Sequence, residues 1–263
     1  MIKRHLIGPV EIAERGAATG TPLLCLHGIG GNDASFQPQL ESLAASRRVI
    51  AWNMPGYGRS TAMESLSFDF LAATLIQLLD DLEITTVDLM GQSIGGMVAL
   101  ETSLRYPERI RSQVLVATTS AFGGRDDSFK QKFLAARMAP LDQGRTMAEL
   151  APEFVPQIVA PQATDAVRKA AIASMAAVPE STYRQIIRCL ITFDRRAQAS
   201  EVQQPCCLIA GEHDDNAPPA TMQRLAEKIP LAEYHLIANA GHLTNLEQPV
   251  AVNAVVDSFL KNL

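Results

Sequence analysis

Ser93 stands in the segment Gly91-Gln92-Ser93-Ile94-Gly95-Gly96, where glycines flank a single hydroxyl group. The run Val87–Met90 before it predicts a buried strand, and Gly95–Tyr106 after it predicts a helix. So tight a strand-to-helix turn strains the serine backbone and leaves room only for small neighbours such as Gly91 and Gly95. The turn would raise the hydroxyl above the sheet, beside a helix N-terminus that favours negative charge. Ser93 is therefore a candidate nucleophile, although a glycine-rich turn without catalytic meaning would look similar in isolation.

A second glycine-rich segment, His27-Gly28-Ile29-Gly30-Gly31-Asn32, follows the apolar run Leu23–Leu26. Glycines such as Gly28 let a backbone approach its neighbours closely and adopt unusual dihedral angles. Acyl transfer requires backbone N–H groups that converge on one developing oxyanion. We expect one donor to be the N–H of Ile94, directly after the nucleophile, and the other to be the N–H of Ile29 in this loop.

A serine nucleophile needs a general base, and the chain has five histidines. His242 lies in a loop between the predicted strand Glu233–Ala238 and a predicted closing helix, and Gly241 gives that loop freedom. A loop at the carboxyl end of a strand can place an imidazole over the sheet edge where ligands bind in α/β proteins. His27 is a weaker candidate, because an imidazole at a strand end is more simply explained as fixing the shape of its loop. His242 is the predicted base.

The acid that orients the base is expected after a late strand. Glu212, Asp214 and Asp215 follow the predicted strand Pro205–Gly211. Asp214 precedes His242 by enough residues for one helix and one strand, and it places the three groups in the chain order Ser, Asp, His. Asp215 and Glu212 are competitors, and the whole segment could also be a solvated acidic turn. The predicted triad is Ser93, His242 and Asp214, in which the carboxylate stabilises the charged imidazole.

Composition limits the class of protein. The chain has 263 residues, 47% hydrophobic and 19% charged, which is typical of a globular fold. A formal net charge of −5 gives no reason to expect nucleic acid or anionic lipid as a partner. The four cysteines lack a CxxC spacing, so neither a disulfide framework nor a zinc site is expected. No signal peptide or membrane-length apolar run is evident, so we expect a soluble cytoplasmic protein without a membrane partner. Homo-oligomers are a possible assembly.

The order of predicted elements gives the fold class. From about residue 21 to residue 119, apolar strands alternate with helical patterns, which predicts βαβ units and a mostly parallel sheet. Between about 122 and 200 the strand signal disappears, and helical stretches are expected to be separated by prolines, among them Pro140 and Pro152. The alternation resumes after residue 200. We predict an α/β core formed by 1–121 and 201–263, interrupted by a helical insertion at 122–200.

With these segments in place, the chain resembles the α/β-hydrolase family over nearly its whole length. The resemblance rests on the His27-Gly28-Ile29-Gly30 loop, the segment Met54-Pro55-Gly56-Tyr57-Gly58-Arg59-Ser60, the Ser93 turn, and the Asp214 and His242 turns. It implies a mostly parallel central sheet flanked by helices, with a helical cap inserted after the sixth strand. Caps of this kind cover the site, exclude water and shape the substrate pocket.

The segment Gly241-His242-Leu243-Thr244-Asn245-Leu246-Glu247-Gln248-Pro249 is similar to esterases and to 3-oxoadipate enol-lactonase-like hydrolases. The resemblance implies a serine hydrolase that cleaves a small carboxylic ester or lactone, without a cofactor or a metal. Family branches with an aspartate nucleophile are disfavoured by Ser93. Carbon–carbon hydrolases of aromatic ring-cleavage products usually have tryptophan after the histidine, where this chain has Leu243, yet that activity remains an alternative.

Two further alternatives are a ligand-binding protein of the same fold that does not turn over its ligand, and cofactor-free perhydrolysis or oxygenation. The intact triad argues against the first. One departure from the family pattern is Asn53, at a position before Pro55 that usually carries aspartate. In the cap, five arginines could grip a substrate carboxylate, and the sequence does not choose among them: Arg125, Arg137, Arg188, Arg195 and Arg196.

Overall fold

A single sheet forms the centre of the molecule in the computed structural model, which describes residues 1–17, 20–124 and 127–263. In the described chain it has eight strands, in the spatial order β1-β2-β4-β3-β5-β6-β7-β8. The first two strands form an antiparallel hairpin that joins β4, and all later pairings are parallel. The strands are β1 (Lys3–Ile7), β2 (Val10–Arg15), β3 (Leu23–Leu26), β4 (Val49–Trp52), β5 (Val87–Gln92), β6 (Ile110–Val116), β7 (Cys206–Gly211) and β8 (Ala232–Ile237). The predicted α/β class with a mostly parallel sheet is confirmed.

Helices cover both faces of this sheet, and each face has its own apolar core. On one face lie α1 (Gln37–Ser42) and α10 (Pro249–Lys261), which pack on the strands through residues such as Leu40 and Phe259. On the other face lie α2 (Phe68–Asp81), α3 (Ile94–Arg105) and α8 (Pro219–Ala226). Strands buried on both faces read as continuous apolar runs, which is why the sequence pattern located them.

Between β6 and β7 the described residues form four α-helices: α4 (Asp127–Asp142), α5 (Met147–Phe154), α6 (Asp165–Ala176) and α7 (Glu180–Leu190). The chain enters and leaves this block side by side. The Phe122 N–H donates to the Phe193 carbonyl, and the Arg195 N–H donates to the Ser120 carbonyl. The Arg195 guanidinium also reaches Glu101, a fully buried carboxylate on α3. The neck of the helical block is therefore tied to the core, and Arg195 is engaged in that structural ion pair.

The expectation that prolines separate the helices of this block is wrong at two positions. Pro140 lies inside α4 and Pro152 lies inside α5. Each is the third residue from the end of its helix. A proline there removes one hydrogen-bond donor near the helix end and leaves the earlier turns intact, so the helix continues through it.

The topology brings distant loops to one edge of the sheet. The segments that follow β3, β5, β7 and β8 all leave from the carboxyl ends of strands that lie side by side or one strand apart. In open α/β sheets this edge is where ligands bind. The four cysteines are buried and free. In the described residues, no helix is both long and apolar enough to span a membrane.

Candidate active site

Three of the sequence-predicted residues meet at that edge. The Ser93 Oγ lies 2.9 Å from His242 Nε2, and the opposite ring nitrogen, Nδ1, lies 2.9 Å from Asp214 Oδ2. Both distances are normal hydrogen bonds. Ser93 follows β5, Asp214 follows β7, and His242 follows β8, so three separate loops build one chain of hydrogen bonds.

The Ser93 backbone is strained, and its surroundings hold it in that conformation. Its φ is 56° and its ψ is −123°, outside the regions that residues with a side chain usually adopt. Its N–H donates to Val116 and its carbonyl accepts from the Thr118 hydroxyl. A Cβ atom on Gly91 would stand 2.3 Å from the Gly95 carbonyl oxygen, and one on Gly95 would stand 2.0 Å from the Leu26 carbonyl oxygen. The turn thus requires both glycines, as the sequence predicted.

Of the three acidic candidates, Asp214 is the one whose carboxylate contacts His242. Glu212 and Asp215 do not contact it. Asp214 is 2% exposed, whereas its two competitors are exposed. Burial alone would raise the pKa of Asp214, but the charge and hydrogen bond of His242 and two backbone N–H groups hold that pKa below its usual value. Those amides belong to Asn216 and Ala217, and both donate to Oδ1. Asp214 therefore stays ionised with only Oδ2 free to face the imidazole.

The two N–H groups expected to bind the oxyanion have no acceptor within the described residues. In the part of the chain that the structure describes, the backbone N–H groups of Ile29 and Ile94 donate no hydrogen bond. A Cβ atom on Gly28 would stand 2.3 Å from Gln92 Oε1 and 3.2 Å from the Ser93 Cβ, so glycine lets this loop approach the Ser93 turn without displacing either side chain. The Gln92 amide in turn donates to the His242 carbonyl at 2.8 Å. Gln92, which the sequence analysis passed over, thus joins the nucleophile turn to the histidine loop.

His27 makes hydrogen bonds that fix the shape of the loop formed by residues 27–32, called the oxyanion loop after its expected role. The Met54 N–H donates to His27 Nε2, so Nδ1 carries the proton and donates to the Gly28 carbonyl. The Tyr57 ring packs edge-on against His27, with ring centroids 4.7 Å apart. The Tyr57 hydroxyl donates to the Ile29 carbonyl at 2.8 Å. Two buried aromatic side chains therefore hold the loop that carries Ile29.

The burial of His27 predicts that the stability of the fold depends on pH. Desolvation lowers the pKa of His27 from 6.5 to about 4, opposed in part by its bond to Gly28 and the charge of Asp33. Between these values the unfolded chain binds a proton that the folded chain excludes, so the free energy of unfolding falls as the pH drops from 6.5 toward 4. The loss is on the order of 3 kcal/mol for this group. In His27→Gln that part of the slope should be absent.

Urea unfolding of both proteins between pH 4.5 and 7.5 measures this slope. His213→Gln, which changes an exposed histidine, is the matched control and should retain it. Equal slopes in wild-type protein and His27→Gln would contradict the assignment of the neutral, buried state to His27.

Glu247 is a buried carboxylate that the sequence analysis did not single out. It accepts backbone N–H groups of Gly241 and Leu243, on either side of the histidine, and of Ala160 from the segment between α5 and α6. The His242 N–H donates to the carbonyl of Ile158 in that same segment. The histidine loop is therefore clamped both to the closing helices and to the helical block above the sheet.

Asn53 has a structural explanation. Its Nδ2 donates to Glu11 Oε2 at 2.8 Å and to Asp33 Oδ1 at 3.2 Å, while its Oδ1 accepts the Asp33 N–H. Burial would raise the pKa of Glu11, but hydrogen bonds from Arg59 and Asn53 hold it below its usual value. Glu11, from the N-terminal hairpin, is thus the carboxylate that pairs with Arg59, and a neutral side chain at position 53 bridges two buried acids.

Asn53→Asp should consequently destabilise the fold by about 2 kcal/mol or more, because two hydrogen bonds to carboxylates become repulsive contacts. Burial and like charge would raise the pKa of the new carboxyl above its unfolded value. Its cost is therefore full at neutral pH and shrinks as the pH falls through that raised pKa. Chemical denaturation at pH 7 and pH 5 measures both effects, with the exposed Asn262→Asp as control. A stability equal to wild type at pH 7 would contradict this account.

A cavity of about 720 Å³ lies between the carboxyl edge of the sheet and the helical block, and Ser93 and His242 lie in its wall. Most of its remaining lining is apolar. It is supplied by the oxyanion loop, by the neck, and by α4, α6 and α7, with side chains such as Ile29, Phe122, Phe133, Met175 and Ile187. The cavity can hold a small organic molecule next to the Ser93 hydroxyl.

Three side chains that could together bind a metal ion lie outside the cavity. One ligand atom each of Cys207, Glu233 and His235 lies within 4.8 Å of the other two. Cys207 and Glu233 stand in the amino-terminal halves of β7 and β8, and His235 is the fourth of the six residues of β8. All three therefore lie within strands and not in the loops that carry Ser93 and His242. His235 already contacts Glu233, at 3.0 Å. This group takes no part in the chemistry of the cavity.

The fold is that of a known family. The sequence model of the protein family described as the α/β hydrolase fold matches residues 21–249. The chain therefore belongs to the α/β-hydrolase family, and the resemblance seen in the sequence is confirmed.

Individual relatives span several activities. The chain is 29% identical over 259 residues to RutD of Variovorax paradoxus (strain S110), named as a carbamate hydrolase, with 96% of each chain covered. It is 28% identical over 259 residues to 3-oxoadipate enol-lactonase 2 of Acinetobacter baylyi, covering 96% of this chain and 93% of that one. It is 30% identical over 253 residues to the dihydrolipoyllysine-residue acetyltransferase component of the acetoin cleaving system of Pseudomonas putida. That match covers 94% of this chain but 65% of the relative.

Among solved structures, the enol-lactonase from Burkholderia xenovorans LB400 superposes with a TM-score of 0.87. The match has 22% sequence identity and covers 98% of this chain and all of that one. At this identity the likeness shows the shared fold alone.

Proposed function

We propose that the protein is a serine hydrolase that cleaves a small carboxylic ester or lactone through an acyl-enzyme. The observation that carries this proposal is the continuous chain of hydrogen bonds from Ser93 through His242 to Asp214, with the hydroxyl in the wall of an apolar cavity. A general base must lie within hydrogen-bond reach of the proton it removes, and His242 does.

In this mechanism His242 Nε2 takes the Ser93 proton as Oγ attacks the substrate carbonyl carbon. The carbonyl π pair moves to the oxygen, and the N–H groups of Ile29 and Ile94 stabilise the resulting oxyanion. Asp214 Oδ2 stabilises the imidazolium, which then protonates the leaving alkoxide as the acyl-enzyme forms. Water, deprotonated by His242, attacks the acyl carbon, and Ser93 leaves with the proton to restore the resting site.

The substrate class follows from the cavity and not from the names of the relatives, which differ in their reactions. A mostly apolar pocket of about 720 Å³ favours a small acyl group over a polymer. Short-chain esters and lactones fit this description. Their carbonyl groups also need no activation beyond the oxyanion donors.

A panel of p-nitrophenyl acetate, p-nitrophenyl butyrate, γ- and δ-lactones, and a vinylogous ring-cleavage product tests the proposal, with Ser93→Ala as the blank. Ester or lactone turnover that vanishes in the variant is the expected result. Turnover of the ring-cleavage product alone would replace ester hydrolysis by carbon–carbon hydrolysis. No turnover of any compound would favour a ligand-binding protein.

A further inference from the structure

Arg137, on α4, stands in the wall of the apolar cavity. Its guanidinium lies 4.3 Å from the ring centroid of Phe154 and 5.3 Å from that of Phe133. Among the described residues lining the cavity it is the one permanent positive charge, and Asp215 is the one acid. No carboxylate of the described chain pairs with Arg137, whereas Arg184, on the neighbouring helix α7, pairs with both Asp142 and Glu180.

The other arginines that the sequence offered for this role are not available. Arg195 is held by Glu101, and Arg196 is held by Asp194. Arg188 is exposed on α7 and is not part of the cavity wall, while Arg125 lies outside the described residues. The structure thus separates Arg137 from the group that the sequence left open.

A half-buried guanidinium without a counter-ion is a site for an anion. Arginine presents its donors in a planar fork that matches a carboxylate, and a charge-assisted pair gains strength in an apolar pocket that excludes water. The aromatic rings beside Arg137 hold its guanidinium through cation–π contacts but supply no acceptor for its N–H groups. Among the described residues only the Tyr183 hydroxyl accepts from these donors, and the remaining donors are open to a ligand.

Tyr183 completes the subsite. This buried tyrosine of α7 also lines the cavity. Burial raises the pKa of its phenol, which the charge and hydrogen bond of Arg137 partly oppose, so the two groups adjoin and the phenol stays protonated. The oxyanion loop also lines the cavity, and the Tyr57 hydroxyl donates to its Ile29 carbonyl. Arg137 and Tyr183 therefore share one cavity with the loop where the substrate carbonyl would bind.

We propose that Arg137 and Tyr183 form a carboxylate subsite, and that the substrate is an ester or lactone whose acyl chain ends in a carboxylate. This proposal rests on the serine hydrolase function above and names its substrate class. Arg137 acts as a specificity residue: it binds the remote charge and takes no part in the transfer of protons at Ser93.

Matched substrates test it. Ethyl pentanoate and monoethyl glutarate share a five-carbon acyl chain and differ in whether that chain ends in methyl or carboxylate. Ethanol release should give wild-type protein a kcat/KM at least 10-fold higher for the charged ester. Arg137→Met should lower kcat/KM for monoethyl glutarate by about 10- to 100-fold, mainly through KM, and leave ethyl pentanoate within about threefold. Arg137→Lys should retain part of the preference, and Arg188→Met should match wild type.

The outcomes are distinguishable. If wild type shows no preference for the charged ester, or if Arg137→Met slows both esters equally, the subsite is overturned while the hydrolase function stands. If neither ester is cleaved, the function fails, and binding of glutarate still decides the subsite. Calorimetry should then show glutarate binding to wild type and at least 10-fold weaker binding to Arg137→Met, and equal binding would overturn the proposal.

Discussion

Ser93→Ala should reduce kcat for a short-chain ester by about 10⁴- to 10⁶-fold, the range expected when the nucleophile of a triad that acts as a unit is removed. The substitution deletes only Oγ. Alanine carries the same Cβ atom through the strained turn, so the fold and the cavity should remain as they are. The cost arises because His242 is left without a nucleophile, and only the oxyanion donors and substrate binding can still assist the attack of water.

Steady-state kinetics with p-nitrophenyl butyrate measure this effect, and stability measurements confirm that the variant is folded. Ser103→Ala is the matched control. It makes the same change on α3, where the hydroxyl only satisfies the Ala99 carbonyl. Its kcat should stay within a few-fold of wild type. Retention of more than about one hundredth of the activity in Ser93→Ala would exclude this serine as the nucleophile.

Asp214→Asn should lower kcat by about 10⁴-fold even though the two side chains have the same shape. The N–H groups of Asn216 and Ala217 both donate to Oδ1, so the amide oxygen of asparagine will occupy that position. Its NH₂ group must then face His242 Nδ1. Two donors cannot pair, and the ring responds by moving its proton to Nε2. In that tautomer Nε2 can no longer accept the Ser93 proton.

Asp215→Asn changes the exposed neighbour and should leave kcat within a few-fold of wild type. The NMR shifts of the His242 ring nitrogens in Asp214→Asn would report the tautomer directly. A protonated Nδ1 together with near-normal activity would show that the histidine does not depend on this carboxylate.

The parts of the site that depend on local geometry were predictable from the sequence. A serine in a strand-to-helix turn needs small neighbours within two residues, so the six residues 91–96 are enough to identify the Ser93 turn. The carboxyl edge of a parallel sheet then restricts where a partner can come from, which selects His242. The choice of Asp214 over Asp215 was harder, because adjacent acids in a turn differ only in direction. The burial of one and the exposure of the other decide it.

Contacts made between distant segments left no sequence signal. The bonds from Glu247 to Ala160, and from His242 to Ile158, join two loops that are far apart in the chain. The role of Asn53 likewise depends on Glu11, which the N-terminal hairpin delivers across the sheet. Arg137 is selected because other arginines of the helical block, such as Arg195 and Arg196, already pair with a carboxylate of the protein. These pairings are visible only in the folded structure.

The helices of the block were harder to delimit than those of the core, because two of them continue through a proline and α4 has weak apolar periodicity. The strands β3 to β7, by contrast, are buried along nearly their whole length, so their positions followed from apolar runs. The proposed carboxylate subsite lies in this block, where the sequence is least regular.

The most direct test of the account is covalent trapping of the nucleophile. A fluorophosphonate, incubated with the folded protein, should form one adduct on Ser93, identified by peptide mass spectrometry. Labelling should be lost in Ser93→Ala and greatly slowed in Asp214→Asn, because the reaction requires a serine activated by a correctly oriented histidine. An unlabelled Ser93, or an adduct on another residue with Ser93 unmodified, would contradict the assignment of this protein as a serine hydrolase.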